Sequence, residues 1–340
     1  MRLLLIVDRF DRSTLCEPAW WMWDLATYSV LDGHRVDAVC LRERAGDTEG
    51  PPGVNVIDHG GDAPAAIAEA LAHGPDLVHL ATPGPLGPHV TEILRQTHLV
   101  VDVHGHWPLC PHGDLMRRPQ FLRCDVRYPA DACAACAGFE RLREMDSRVR
   151  LLGRADAVVA HAPFQADRLT ALLERPVEFV DYGVDVERFK SDPEPPKGEA
   201  TRALFETRGQ GKRVLLLGPP QHARGIDRLV DLVVGVRARV PNATFVVAGS
   251  DPDNPGWSGV FHTELAELGL GDAVIMIDRL PPDDLPALLV SCDVGVSPAM
   301  WDDPGGMFVL QALAAGLPTV TSGRGALAEL AEHGSGMLAS

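Results

Sequence analysis

No segment of this chain approaches the roughly 18 uncharged apolar residues that a membrane-spanning helix needs. The first apolar run, Leu3–Val7, stops at Asp8 after five residues, which is also too short for the core of a signal peptide. A cationic excess is equally missing: 31 Lys and Arg face 47 Asp and Glu, for a formal net charge of −16. With no long Lys/Arg run to offset it, that balance argues against nucleic acid or an anionic membrane surface as partner. Seven cysteines in 340 residues do not suggest a secreted disulfide scaffold. A soluble, cytoplasmic protein is the expectation. Neither a G-x-G-x-x-G nor a Walker A stretch follows either candidate first strand. Val7 runs into DRFDRSTLCEP and Leu217 into GPPQHARG, which disfavours a nicotinamide or flavin dinucleotide.

What is there is an alternation of short aliphatic runs and longer amphipathic stretches. Leu3–Val7, Val36–Leu41, Val54–Ile57, Asp76–Leu80, Leu99–Val103, Ala157–Ala160 and Val177–Val180 read as buried strands, with helical spacing at Glu17–Leu31, Pro64–Ala72 and Pro88–Arg95. The pattern restarts after the polar, proline-bearing Ser191–Lys197. Strands follow at Arg213–Leu217, Thr244–Ala248, Ala273–Ile277, Asp293–Val296 and Thr319–Thr321. Helices at Ile226–Arg239, Phe261–Leu268, Pro282–Val290, Met307–Ala315 and Ala326–His333 separate them. Strand–helix alternation implies parallel sheets covered on both faces. The fold class predicted is α/β: two Rossmann-like, doubly wound domains in tandem, residues 1–190 and 191–340, facing a cleft between them where ligands bind.

Ser297–Thr321, SPAMWDDPGGMFVLQALAAGLPTVT, carries the most chemistry. A strand ends, a loop supplies Asp302, Asp303, Gly305 and Gly306, and a helix begins near Met307. Amides at a helix start, with its dipole, attract an anion, and paired glycines let a phosphate approach the backbone. A helix cap with a tight turn is the plainer reading of that loop alone. It gains force from Gly218–Gly225, whose Arg224 lies on the same edge of the same sheet, because a diphosphate needs more than one donor cluster.

Taken in order, these landmarks resemble the retaining glycosyltransferases of the two-Rossmann (GT-B) type, family four. Asp181–Phe189, DYGVDVERF, resembles the family's linker signature. Ala248–Gly249 and Leu280–Val296 resemble later family segments, and Trp301–Pro318 resembles its W-x-E-P-F-G-x-x-x-x-E-A-x-A-x-G-x-P block. The resemblance implies transfer of a hexose from a nucleoside-diphosphate sugar (UDP or GDP) to a small-molecule acceptor, with no catalytic divalent metal. Carried over by position, Asp303 contacts sugar hydroxyls and Gln311 the ribose. Arg224, with Gly218 and the amides of Gly305, Gly306, Met307 and Phe308, holds the diphosphate. His104 is the histidine that meets the donor sugar, with His106 a weaker candidate. Asp303 and Gln311 stand where the family has glutamates, and Pro219 where it has a cation that His222 and Arg224 would have to replace. An impaired, sugar-nucleotide-binding relative or partner subunit is therefore the alternative. The family's chains usually run on into a helix that returns to the first domain, so the second domain is expected to be shortened.

Two further features belong to the first half. Cys110, Cys124, Cys133 and Cys136 lie within loop 104–138 as C-x13-C-x8-C-x2-C, which fits either a structural zinc site or four reduced cysteines packing a loop. In the segment LCEPAWWMWD, adjacent tryptophans diverge by about 100° on a helix, so Trp20, Trp21 and Trp23 do not share one face. Glu17, Trp20 and Trp21 are the acceptor-binding candidates. The oligomeric state is left open by these residues.

Overall fold

The computed structural model describes residues 1–10, 17–42, 50–81, 97–126, 128, 131–189, 192–249 and 257–332; the expected helix Pro88–Arg95 lies outside them. The chain divides into two compact units after Tyr182.

The first unit holds strands β1 (Arg2–Val7), β2 (Arg35–Cys40), β3 (Val54–Ile57), β4 (Leu77–Leu80), β5 (His98–Val103), β6 (Met116–Arg117), β7 (Leu122–Arg123), β8 (Ala157–Ala160) and β9 (Glu178–Phe179). Its helices are α1 (Glu17–Leu31), α2 (Ala63–Ala72), α3 (Asp131–Ala137), α4 (Phe139–Leu152) and α5 (Pro163–Leu173). Seven strands form one sheet in the order β3-β2-β1-β4-β5-β8-β9, every pair parallel. The pleat of β1 sends Leu4 and Ile6 into one core and Leu3, Leu5 and Val7 into the other. That two-faced burial is why the strand reads as an unbroken aliphatic run, and each such side chain contributes roughly 1.5–3 kcal/mol. Helix α2 starts where the Asp62 carboxylate accepts from the Ala65 amide at 3.1 Å, with a proline in its first turn, both favourable helix-start choices.

The second unit holds β10 (Lys212–Leu217), β11 (Ala243–Ala248), β12 (Val274–Ile277), β13 (Val294–Ser297) and β14 (Thr319–Thr321). Its helices are α6 (Glu199–Glu206), α7 (Leu229–Arg237), α8 (Trp257–Glu267), α9 (Leu285–Val290), α10 (Met307–Ala314) and α11 (Ala326–Leu330). The sheet runs β12-β11-β10-β13-β14, also parallel, so the strand order reverses between β10 and β13. Buried polar ties hold its start. Asp284 accepts from the amides of Lys197 and Gly198 at 2.8 and 2.6 Å, and the Arg213 guanidinium donates to the carbonyls of Thr207 and Ser291. The DYGVDVERF stretch straddles the division: Tyr182 packs in the first unit, while Phe189 is buried in the second and Arg188 donates to the Pro282 carbonyl. Among the described residues, no helix is long and apolar enough to cross a membrane.

Candidate functional site

At the carboxyl ends of β10 and β13, where the second sheet changes winding direction, lies a hollow of about 440 Å³, its open mouth included. Leu217, Gly218, Pro219 and Arg224 form one wall, and Ser297, Pro298, Ala299 and Asp303 the other. This is the crevice in which open α/β sheets bind ligands. The walls are joined, since the amides of Met300 and Trp301 both donate to the Ala223 carbonyl, at 2.8 and 3.2 Å. Gly225 makes that junction possible. Its φ is +81°, and a Cβ there would sit 2.0 Å from the Pro298 carbonyl oxygen, so only glycine fits. The Arg224 guanidinium lies 5.8 Å from the Trp301 ring centre and close over Gly218, where a Cβ would meet its Nη1 at 3.3 Å. His222, the neighbouring cation candidate, is engaged by Asp227 at 2.5 Å.

Asp303 does something the sequence pattern did not reveal. Its carboxylate, on a residue 3% exposed, accepts from the amides of Gly305 and Gly306 at 3.1 and 2.7 Å. Its backbone bridges to Gly325, with the Asp303 amide on the Arg324 carbonyl and the Ala326 amide on its own. Two of the four expected anion-binding amides are therefore occupied from within. The next ones, of Met307 and Phe308, open α10, which has no side-chain cap. Gln311 follows within that helix, 4% exposed. Arg224, Gly218 and Asp303 are thus brought together on one hollow, while Gly305, Gly306, Met307, Phe308 and Gln311 lie along the chain leading from it rather than in its lining.

The first unit collects its polar side chains differently. Asp102 in β5 is buried and receives the Trp21 indole Nε1 and sits against His79 Nε2, each at 2.8 Å. His161, just beyond β8, approaches its other oxygen at 2.7 Å. Burial would raise the Asp102 pKa, but His161 and His79 outweigh it and hold the carboxyl well below its ordinary range. His104 lies 2.5 Å from the Tyr182 hydroxyl through Nδ1, and its ring packs with that of His161 at 4.6 Å between centroids. Burial first, then the His161 ring, push the His104 pKa down to about 3, so the imidazole is neutral at neutral pH.

Residues 19–188, half of the chain, match the family described as Glycosyltransferase Family 4, and residues 199–340 match Glycosyl transferases group 1. The chain belongs to the group 1 glycosyltransferases. It is 29% identical over 188 residues to the lipopolysaccharide core biosynthesis mannosyltransferase LpsB of Rhizobium meliloti, covering 54% of this chain and 50% of LpsB. It is 26% identical over 265 residues to the mannosylfructose-phosphate synthase of Agrobacterium fabrum, 75% of this chain and 55% of that protein. The chain thus spans about half the length of these curated relatives. Among solved structures, Anabaena HepE in complex with UDP and glucose superposes with a TM-score of 0.72 at 19% identity, covering 100% of this chain and 86% of that one. At that identity the likeness establishes the two-Rossmann GT-B fold.

The candidate residues of the first unit are buried or half-buried where the structure describes them. His104, expected to meet the donor sugar, has a side chain 1% exposed with both nitrogens turned inward; His106 is also buried. Trp20 is 3% exposed and belongs to the core, and the Trp21 ring is held by Asp102 and by edge contacts with His161 and Tyr182. Large aromatic area stabilises this unit more than it exposes a platform. Glu17 begins α1, and its side chain lies outside what is described. The four cysteines do share one pocket, together with His112. Among the described residues, no three of them bring their sulfurs within 4.8 Å of one another.

Proposed function

We infer that this chain transfers a hexose from a nucleoside-diphosphate sugar, UDP- or GDP-linked, to a small-molecule acceptor with retention at the anomeric carbon. The observation carrying this reading is the hollow between β10 and β13, where the Arg224 guanidinium lies over Gly218 and the preceding residue, Ala223, is tied through its carbonyl to the loop that leads to α10. Arg224 and the amides of Met307 and Phe308 offer a cation and a dipole to a diphosphate, and both act more strongly as charge develops on the leaving group. The bond between the anomeric carbon and the phosphate oxygen breaks, and one to the acceptor oxygen forms. The acceptor's proton passes to the leaving phosphate. Asp303 acts here through the loop, its carboxylate holding the amides of Gly305 and Gly306 ahead of α10. LpsB, by its name, moves mannose, and HepE has been seen with UDP and glucose; both support a hexose donor.

A second reading, a sugar-nucleotide-binding protein without transfer, is favoured by Pro219, which lines the hollow where the family has a cation. Calorimetric titration with UDP, GDP and their sugars, followed by product analysis with the binding donor, separates the two. Binding with transfer or donor hydrolysis supports the enzyme, and binding without turnover the second reading. Absence of any nucleotide binding overturns both.

A further inference from the structure

Asp102, His104 and His161 come from the ends of two neighbouring strands of the first sheet, and their ligand atoms all lie within 4.8 Å of one another. All three side chains are 1% exposed or less. Three of their atoms, Asp102 Oδ1, His104 Nε2 and His161 Nε2, are fully buried and carry no hydrogen bond. Asp102 Oδ1 and His161 Nε2 are only 2.7 Å apart, yet are not aligned as donor and acceptor.

The opposite side of each group is fixed. His161 Nδ1 faces the Val180 carbonyl at 2.8 Å. A carbonyl can only accept, so that nitrogen carries the proton, and in the neutral ring Nε2 presents a lone pair. His104 Nδ1 is engaged by the Tyr182 hydroxyl, and Asp102 Oδ2 by Trp21 and His79. Metal-binding histidines are oriented in this manner, one nitrogen on an oxygen partner and the other toward the ion. Left alone, a lone pair against a carboxylate in a dry interior is unfavourable. A shared cation turns the same contact into an attraction.

We propose that Asp102 Oδ1, His104 Nε2 and His161 Nε2 form a three-ligand site for a divalent transition metal of the zinc class. Two imidazoles and one carboxylate are a donor set that zinc accepts, with a fourth position left for water. The ion would join the ends of β5 and β8 and the segment after each, a role independent of the nucleotide hollow.

The test uses the full chain, stripped with chelator and titrated with Co²⁺. The expected result is one ion per chain, with a visible d–d band and no thiolate charge-transfer band in the near ultraviolet. His161→Gln should weaken binding by at least 100-fold. Trp21→Phe removes one bond to Asp102 and should weaken it about tenfold. The double change Cys133→Ser and Cys136→Ser should leave binding intact. Should His161→Gln fail to fold, the wild-type spectrum and the Trp21→Phe titration still decide. No cobalt binding by the wild-type chain would overturn the proposal, leaving a buried imidazolium–carboxylate pair. A charge-transfer band lost in the double cysteine variant would overturn it too, in favour of the cysteine pocket.

Discussion

The large sheets of the two units are built alike, each parallel and wound from a central strand, but they end differently. In the second unit the carboxyl ends open onto glycine, proline, backbone amides and Arg224. In the first, Asp102, His79, His104, His161, Trp21 and Tyr182 close on one another. One edge leaves its polar groups along an open hollow. The other turns them inward on one another, because ionisable groups in a dry interior must be matched there, by a partner or by an ion. Sharing an architecture therefore does not mean sharing a task, even within a single chain.

The sharpest way to break this comparison is Asp102→Ala. It would strip the Trp21 and His79 donors of their acceptor and should destabilise the first unit by about 3–5 kcal/mol, read as a shift in urea midpoint at constant slope. A shift below about 1 kcal/mol would mean the closed edge is not structural. Arg224→Ala is the counterpart on the open edge. It should lower kcat with the donor by about 10²–10³-fold, roughly 2.7–4 kcal/mol, while the melting temperature stays close to wild type. Gly225→Ala probes the junction between the hollow's walls: a left-handed backbone and the Pro298 carbonyl should together cost at least about 1–3 kcal/mol of stability.

Gln311→Glu sharpens the comparison further. Restoring the family's acid should tighten nucleotide-sugar binding by about 1–2 kcal/mol in calorimetry. A weaker complex would mean that the site is organised around the amide. The smallest effect concerns Asp37 on β2, far from either edge's chemistry. Burial raises its pKa, but Asn55 and Arg2 outweigh that and hold it below its ordinary range. A carboxyl lowered in the folded state lends stability above its unfolded pKa and loses it as the pH falls through the folded value. Asp37→Asn should therefore lower the urea midpoint at neutral pH, where the ionised carboxylate holds Arg2 and Asn55, and flatten its fall below about pH 4, where variant and wild type converge.

Much of the architecture was legible from composition and period. Val54–Ile57, Ala157–Ala160, Thr319–Thr321 and Glu17–Leu31 fall where the pattern put them, since short aliphatic runs and a long amphipathic stretch have few alternatives. Helix Phe139–Leu152 was not, because FERLREMDSRVRLL buries only Met145, Leu151 and Leu152 and its apolar stripe is too thin to stand out. The open edge was readable because its groups sit in two loops, each directly after a strand. The closed edge was not. His79, Asp102 and His161 come from β4, β5 and the end of β8, and their meeting depends on strand order, which no local pattern encodes. A charge inside the apolar run LVVDV was the available signal, since a buried carboxylate demands partners. The Asp303 cap was likewise hidden, as which amides a carboxylate reaches depends on the loop's turn rather than on residue type.

That cap has a consequence for how this site can change. An aspartate reaches the amides two and three residues ahead; a glutamate, one methylene longer, overshoots that ring. Changing Asp303 to the glutamate that the family resemblance implies would unfasten the loop from within. A proline side chain has no polar atom with which to make such a bond, so Pro219 is under no equivalent restraint. The site behaves as a ratchet at one residue and as a dial at the other.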